Sequence, residues 1–565
     1  MRTALLLTLC FLSQLLAAQT WQWSQQIGGP GDETAAIAGT DATGAVYLYG
    51  RYDSHWNSEA YGLYIGPDTL QEANHSTYLA KFSTDGTLQW LRSCTSIIGI
   101  EINNAFLDPV SQKLYVVGGY VNSCSLDTVS LSTGSNVAAF LSQWDLDGHC
   151  QWARNVAFSG FDSQRSCDIG AVTVDDQARI LIAGHTATLP VNHLAGREVP
   201  PGTFASAYNS SGDTLWTRMV STYNGTSPML DPLEMHTWNG DAFVYNALYM
   251  DNASDTLLVG DSVVTGLSGG GYALFRLNSN NGDLGWFTTD GWPLGPADRR
   301  SPHLFVLDEM GQAFIAGGYG VGVFGTDTLD APGAGSAGFI ARYDTSGTLL
   351  WVRGYESIGG TVSLTALSLR PGGGLYAVGS MVGTVNWDGI THTATTFDLM
   401  LATFSETGEC LGIDSDVGSA FGSSIVPAYD GIYLAGGFPV STDWPPYLPI
   451  TFGNMTYNTF GWKDAFIAKH SLATSIPTQS MGSDGLHIYA NPNRGSFQLE
   501  MPDAFANERD LVLRIYDSTG RMVLEQPMDM TGEAVHLDVF DAVPGFYNVT
   551  LTNGRRSCSG SMVVE

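Results

Sequence analysis

Charged side chains are scarce in this sequence, and basic ones are the scarcest. Only 14% of the 565 residues are charged, against about 25% in typical soluble domains. Lys and Arg together number 24 while Asp and Glu number 55, so the formal net charge is −31 at pH 7. Such a surface repels phosphates and anionic lipid, which excludes nucleic-acid binding. We interpret the acidic surface as a solubility device.

Cysteine and long apolar runs are also rare. After the N-terminus no segment has eighteen uninterrupted apolar residues, so no transmembrane segment is predicted. The cysteines form no CxxC pair and no Cys/His cluster with zinc spacing, so we expect them to be structural, free or locally bridged. Beyond Cys10, they are Cys94, Cys124, Cys150, Cys167, Cys410 and Cys558.

Catalytic motifs are missing as well. No G-x-S-x-G, H-E-x-x-H or P-loop is present, and the eleven histidines are scattered. The segment Ser83–Trp90 is close to a sialidase Asp-box, but its Gly86 follows Asp85 directly, and a hairpin turn explains it. Paired carboxylates cannot be singled out among 55 acidic residues. We therefore expect no cofactor and no metal.

The N-terminus has the pattern of a secretory signal peptide. Arg2 gives a short basic start, an apolar run spans residues 4–16, and small residues precede Gln19. The run is too short for a membrane-spanning helix. We predict a signal peptide over residues 1–18, cut between Ala18 and Gln19.

An apolar strand that ends in glycine recurs along the chain. The mean spacing is about 64 residues, within reach of propeller repeat periods. These glycines are Gly50, Gly118, Gly184, Gly260, Gly317, Gly379 and Gly436. Short turns with Asp41, Asp175 or Asp308 precede some of these strands, and we interpret the aspartates as turn formers rather than calcium ligands.

A second pattern follows each glycine-ended strand. It is another strand, a turn with glycine, and a Trp four residues after that glycine. The pairs are Gly86 with Trp90, Gly148 with Trp152, Gly212 with Trp216, Gly282 with Trp286 and Gly347 with Trp351. After Gly408, Gly412 stands where Trp is expected. Glycine suits such hairpin turns because they demand φ > 0.

The two ends of the array complement each other. The chain begins with a Trp strand at residues 21–25 that has no partner before it, and residues 464–469 form a partner strand with no Trp strand after it. Pairing them would close a ring and remove exposed sheet edges. The sequence predicts an all-β protein with a seven-bladed β-propeller over residues 19–472. Six or eight blades are the alternatives if a degenerate repeat is miscounted.

These repeats resemble the bacterial β-propeller repeats called SBBP, with the pattern G-x-x-Y-V-x-G, then D-x-F-V-A-K, then Gly and Trp. Leu114–Gly118 and Asp464–Lys469 are examples, and the resemblance spans residues 21–472. It implies a propeller and an extracellular location, and it implies no reaction.

Residues 473–485 are small and polar and indicate a linker, and residues 486–565 alternate apolar positions between glycine turns. That alternation predicts a small antiparallel β-sandwich. The motif residues are Asn491, Pro492, Gly495, Phe497, Gly520, Arg521, Gly545 and Tyr547. With these, the tail resembles the type A C-terminal sorting domain of the type IX secretion system of Bacteroidetes.

That resemblance implies passage through the periplasm and recognition by the type IX machinery. It also implies removal of the tail by a sortase-like enzyme and attachment to surface lipopolysaccharide. The family often carries a Lys shortly before the final apolar residues, where this chain has Ser561.

The loops after the glycine-ended strands hold aromatic residues. Propeller loops converge on one face, where exposed aromatics would suit a glycan or protein ligand. The alternative is packing between blades. The residues are Trp56, Tyr61, Trp292, Trp387, Trp444, Tyr447 and Trp462.

The leading hypothesis is a non-enzymatic binding or adhesion module, extracellular or on the outer-membrane surface. One alternative is a surface hydrolase or lyase on the propeller face, which a deep central pocket with two close carboxylates would favour. Another is a structural component of a surface layer or gliding apparatus.

Overall fold

The structure is a computed structural model. It describes residues 21–52, 62–70, 76–159, 167–186, 192–224, 229–250, 255–265, 269–290, 304–319, 321–330, 337–415, 418–428, 431–439, 449–471, 486–491, 493–500, 511–517, 522–528, 534–538, 545–552 and 557–564. The regular elements in these ranges are all β-strands. The chain divides into two compact units, of which one is Gln19–Leu472 and the other contains Ala473–Glu565. No helix in the described ranges is long and apolar enough to cross a membrane.

The first unit contains 38 described strands. The first nineteen are β1 (Trp21–Gly28), β2 (Ala36–Thr40), β3 (Val46–Tyr52), β4 (Leu63–Ile65), β5 (Asp68–Leu70), β6 (Ser76–Phe82), β7 (Leu88–Ser96), β8 (Ile100–Asp108), β9 (Lys113–Leu126), β10 (Val129–Trp144), β11 (Cys150–Ser159), β12 (Asp168–Val174), β13 (Ile180–Thr186), β14 (Asn192–Leu194), β15 (Arg197–Val199), β16 (Gly202–Tyr208), β17 (Thr214–Asn224), β18 (Met229–Trp238) and β19 (Asp241–Met250). The others are β20 (Thr256–Val259), β21 (Ser262–Val264), β22 (Gly269–Asn278), β23 (Leu284–Asp290), β24 (Leu304–Leu307), β25 (Ala313–Tyr319), β26 (Val321–Phe324), β27 (Asp327–Asp330), β28 (Ala337–Tyr343), β29 (Leu349–Tyr355), β30 (Ser357–Leu369), β31 (Leu375–Trp387), β32 (Ile390–Phe404), β33 (Cys410–Asp414), β34 (Phe421–Ala428), β35 (Gly431–Pro439), β36 (Ile450–Phe452), β37 (Met455–Tyr457) and β38 (Lys463–Ser471).

Within the described strands, groups of four antiparallel strands follow one another seven times. The groups are β2-β3-β6-β7, β8-β9-β10-β11, β12-β13-β16-β17, β18-β19-β22-β23, β24-β25-β28-β29, β30-β31-β32-β33 and β34-β35-β38-β1. The first strand of each group contacts the first strand of the next, and β34 contacts β2, so these strands form a closed ring. The arrangement is propeller-like.

The pairing predicted between the two ends of the array is present. β1 lies antiparallel to β38, with Trp23 opposite Lys469 and Gln26 opposite Phe466. The N-terminal strand is therefore the fourth strand of the last group. Phe466 is fully buried, so the joint lies within a packed core.

The recurring Gly–Trp pattern joins neighbouring groups. Trp23 covers Gly86 of the next group, and its indole Nε1 donates to the Thr84 carbonyl at 2.8 Å. Gly86 has φ +84°, and a Cβ there would lie 2.6 Å from the Trp23 ring. The same contact recurs in Trp90 on Gly148, Trp152 on Gly212, Trp216 on Gly282, Trp286 on Gly347 and Trp351 on Gly408.

The loss of Trp at Gly412 now has a structural reason. Gly412 lies opposite Thr403, the same register that places Trp351 opposite Arg342. A Trp at 412 would need a hairpin turn in the next group, but β38 and β1 come from opposite ends of the unit and share no turn. A Cβ at Gly412 would meet no atom within 4 Å.

The second unit is a pair of antiparallel sheets. Its described strands are β39 (His487–Tyr489), β40 (Ser496–Glu500), β41 (Leu511–Asp517), β42 (Met522–Met528), β43 (Ala534–Asp538), β44 (Gly545–Thr552) and β45 (Ser557–Val564). They form the sheets β39-β40-β43 and β42-β41-β44-β45. Phe497 from one sheet and Val549 from the other belong to the same buried core.

Candidate functional site

The aromatic residues singled out in the sequence divide into three sets. Trp387 is 5% exposed, packs edge-on against Tyr355 at 5.2 Å between ring centroids, and donates its indole N–H to the Glu356 carbonyl at 2.9 Å. Trp387 therefore occupies a packing position, as in the alternative interpretation. Trp462 is 41% exposed. Trp56, Tyr61, Trp292, Trp444 and Tyr447 lie outside the described residues.

Trp462 belongs to an aromatic patch that we define as Tyr64, Phe460 and Trp462. Phe460 is 64% exposed and Tyr64 is 36% exposed, with 6.1 Å between their ring centroids. Phe460 and Trp462 precede β38, and Tyr64 lies in β4, which pairs with β1. The patch thus lies beside the strands that close the ring. Sequence reasoning missed Phe460 and Tyr64, although Phe460 stands only two residues before Trp462.

The segment that carries Phe460 and Trp462 is fixed through its backbone. Trp462 N donates to the Gly31 carbonyl at 3.2 Å, and Glu33 N donates to the Lys463 carbonyl at 2.8 Å. A Cβ at Gly461 would lie 2.3 Å from the Gly29 carbonyl oxygen, so only glycine allows this approach. We call the contact between residues 29–33 and 458–464 the seam.

The seam contains two buried carboxyl groups. Glu33 and Asp464 are both fully buried. Asp464 Oδ2 accepts from Phe460 N at 3.0 Å and from Gln26 Nε2. Burial, with the charges of Asp464 and Asp32 nearby, raises the pKa of Glu33 to about 9. Glu33 is therefore neutral at pH 7, which avoids placing two adjacent charges out of water.

A cavity of about 380 Å³ lies inside the ring of first strands. We call it the axial cavity. It is lined by residues of β2, β8, β12, β18, β24, β30 and β34, together with Tyr49 of β3. Among the described lining residues the ionisable side chains are Glu234, His236 and Tyr49, and all three are half-buried.

Glu234 links two neighbouring groups at this cavity. Its Oε2 accepts from Phe305 N at 2.7 Å, which joins β18 to β24. Burial raises the pKa of Glu234 to about 8 and lowers the pKa of His236 to about 4. Burial is the main reason that the pKa of Tyr49 lies above its usual value, and the nearby Glu234 carboxyl raises it further. At pH 7 these three side chains are mainly neutral.

The turn aspartates behave as turn formers, as the sequence predicts. Asp41 Oδ1 accepts from Thr43 N at 2.9 Å and Ala45 N at 3.1 Å, and Oδ2 lies 3.0 Å from Lys81 Nζ. In the described part of the chain, no group of three or more His, Cys, Asp or Glu is placed to hold a metal ion.

The five cysteines whose side chains are described are buried free thiols. They are Cys94, Cys124, Cys150, Cys167 and Cys410.

Residues of the tail motif hydrogen-bond to the backbone of β45. Asn493 N donates to the Val563 carbonyl at 2.9 Å, and Asn491 Oδ1 accepts from Val563 N at 2.8 Å. Gly495 has φ +89°, and its N–H donates to Asn493 Oδ1 at 2.8 Å. Phe497 and Tyr547 are buried, and Gly545 begins β44. Pro492, Gly520 and Arg521 lie outside the described residues.

Residues 487–565 match the family model described as a secretion system C-terminal sorting domain. The match covers the tail alone. It indicates secretion by the type IX system and therefore a secreted or cell-surface protein.

Solved structures show weak similarity to the chain. Quinohemoprotein alcohol dehydrogenase from Comamonas testosteroni is 10% identical, with a TM-score of 0.37 over 85% of this chain and 80% of that one. Trypanosoma rangeli sialidase in complex with the inhibitor DANA is 9% identical, with a TM-score of 0.32 over 94% of this chain and 84% of that one. Such TM-scores carry no argument about function. No curated protein matches the chain.

Proposed function

We propose that residues 19–472 form a seven-bladed β-propeller that works as a non-enzymatic binding or adhesion module for glycans at a bacterial surface. The seven four-stranded groups and the cyclic contacts of their first strands support the blade count. We also propose that the repeats are of SBBP type and that the source is a member of the Bacteroidetes.

The observation that carries the binding function is the aromatic patch on the seam. Among the described residues five aromatic side chains are exposed, and three of them, Tyr64, Phe460 and Trp462, belong to this patch. Aromatic faces stack on the C–H faces of sugars and offer an amphipathic contact. The seam holds the backbone in place, so little conformational entropy is lost on binding. The net charge of −31 favours neutral over acidic glycans.

The hydrolase alternative has less support. Glycoside hydrolysis commonly needs two carboxyl groups that face the substrate. Among the described residues of the axial cavity's lining there is one, Glu234. Glu33 and Asp464 lie near each other, but both are fully buried and cannot touch a substrate. The structural-component alternative gains no specific observation.

A glycan array tests the proposal with the secreted protein and three variants. We expect F460A and W462A each to lose about tenfold or more in affinity for neutral glycans, as for exposed aromatic hot spots. F397A is the matched control, since Phe397 is 58% exposed in another group. Unchanged binding in both patch variants, or hydrolytic turnover without binding, would contradict the proposal.

We further propose the route by which the module reaches the surface. The signal peptide directs it to the periplasm, the type IX machinery recognises the tail, and a sortase-like enzyme removes the tail. Attachment to lipopolysaccharide would then hold the propeller on the outer membrane. The sorting-domain match at residues 487–565 supports this route.

A further inference from the structure

We propose that the axial cavity binds a small organic cation, an amine or quaternary ammonium, with Glu234 as its counter-ion. This site is separate from the aromatic patch and does not depend on the glycan-binding function.

The chemistry of the lining points to a cation. Tyr49 and Phe106 are partly buried aromatic residues of the lining, and Glu234 is the single acidic residue among the described residues that line the cavity. The described residues of the lining include no Lys or Arg that could neutralise Glu234. Aromatic rings with one carboxylate are the groups that recognise ammonium ions. The cavity volume of about 380 Å³ suits a small ligand.

The hydrogen bond to Phe305 N does not by itself explain an acidic residue at position 234. Neighbouring groups are joined elsewhere around the ring by neutral side chains. Thr365 Oγ1 donates to the Gly422 carbonyl at 2.6 Å, and Asn104 Nδ2 donates to the Gly170 carbonyl at 3.1 Å. An amide at 234 would accept from Phe305 N equally well, so this joint does not need an ionisable carboxyl group.

Glu234 can change its charge near neutral pH, because its pKa is raised to about 8. Burial raises the pKa of this carboxyl, and the hydrogen bond from Phe305 N offsets the loss of hydration only in part. A bound ammonium would favour the ionised form and lower the pKa. The other titratable side chains of the lining, His236 and Tyr49, are neutral near pH 8. The net charge of −31 also attracts cations to the protein.

The experiment compares choline with its uncharged isostere 3,3-dimethylbutan-1-ol, using calorimetry on the whole secreted protein. We expect choline to bind with a Kd below about 1 mM at pH 8.5. The isostere should bind at least about tenfold more weakly. Choline affinity should rise more than about tenfold from pH 6 to pH 9, because only ionised Glu234 pairs with the cation.

The variant E234Q separates charge from structure. Gln keeps an acceptor for Phe305 N, so the fold should be retained, as circular dichroism would show, while choline affinity falls about tenfold or more. E101Q, on an exposed surface ion pair with Arg51, is the control and should bind like the parent. Equal binding of choline and the isostere, no effect of E234Q in the folded protein, or no choline binding up to about 10 mM would each overturn the proposal. F460A and W462A should leave choline binding unchanged, which separates this site from the glycan site.

Discussion

At the scale of single residues, the six glycines that a Trp covers in the repeat pattern carry two constraints at once. Gly86 illustrates both. Its φ of +84° disfavours any side chain, and the ring of Trp23 occupies the space that a Cβ would need. The repeated Gly and Trp thus belong to one interaction, although the two partners lie in consecutive groups. The regular spacing of Gly and Trp along the chain reflects contacts between neighbouring groups rather than contacts within one hairpin.

Substitution of Gly86 can separate the two constraints. Gly240 is the matched control, because its φ is +80° but a Cβ there would meet no atom within 4 Å. We expect G240A to lower the free energy of unfolding by about 1 kcal/mol through backbone strain. G86A should cost a further 1–3 kcal/mol, roughly, because Trp23 must move. Urea unfolding of both variants measures this, and equal costs would contradict the role of the Trp23 contact.

At the scale of elements, the seam shows how buried carboxyl groups can fix a loop. Asp464 is the second residue of β38 and accepts from Phe460 N, while Glu33 N donates to the Lys463 carbonyl. The loop that presents the aromatic patch is therefore held by the strands that close the ring. Burial next to Asp464 keeps Glu33 protonated at neutral pH, because the pKa of Glu33 is raised to about 9.

The protonation of Glu33 in the folded protein predicts that the free energy of unfolding depends on pH. The folded-state pKa of Glu33 lies above its usual value of 4.5, so the folded protein binds more protons than the unfolded chain between pH 4.5 and about 9. Stability from this group is present in acid and declines as pH rises, by up to about 1.4 kcal/mol per pH unit. We expect the Tm to fall from pH 5.5 to pH 8.5.

The variant E33Q identifies the responsible group. Gln resembles the protonated carboxyl, so the decline of Tm with pH should become shallower. It should not disappear, because Glu234, with a pKa of about 8, contributes in the same direction. E101Q should keep the parental slope, since Glu101 is exposed. A parental slope in E33Q would contradict the assignment.

At the scale of the whole molecule, sequence patterns predict pairing better than they predict sites. The pairing of the strand that contains Trp23 with the strand that contains Phe466 could be predicted, because both strands carry the repeat pattern, no partner strand precedes the first and no Trp strand follows the second. Glu33 carries no motif and Asp464 is only the first residue of the repeat pattern D-x-F-V-A-K, and the two carboxyl groups meet because the ring closes. Glu234 is likewise one acid among 55, and only the convergence of seven first strands makes its position special.

The two units of the chain also have separable tasks, which a truncation can test. The family match is confined to residues 487–565, while the propeller-like unit ends at Leu472. In a host with a type IX system, we expect a chain without residues 486–565 to fold but remain in the periplasm, inaccessible to added protease on intact cells. A reporter placed between residues 1–18 and 473–565 should reach the surface in the same host. Surface display of the truncated chain, or retention of the reporter, would show that the address lies outside the tail.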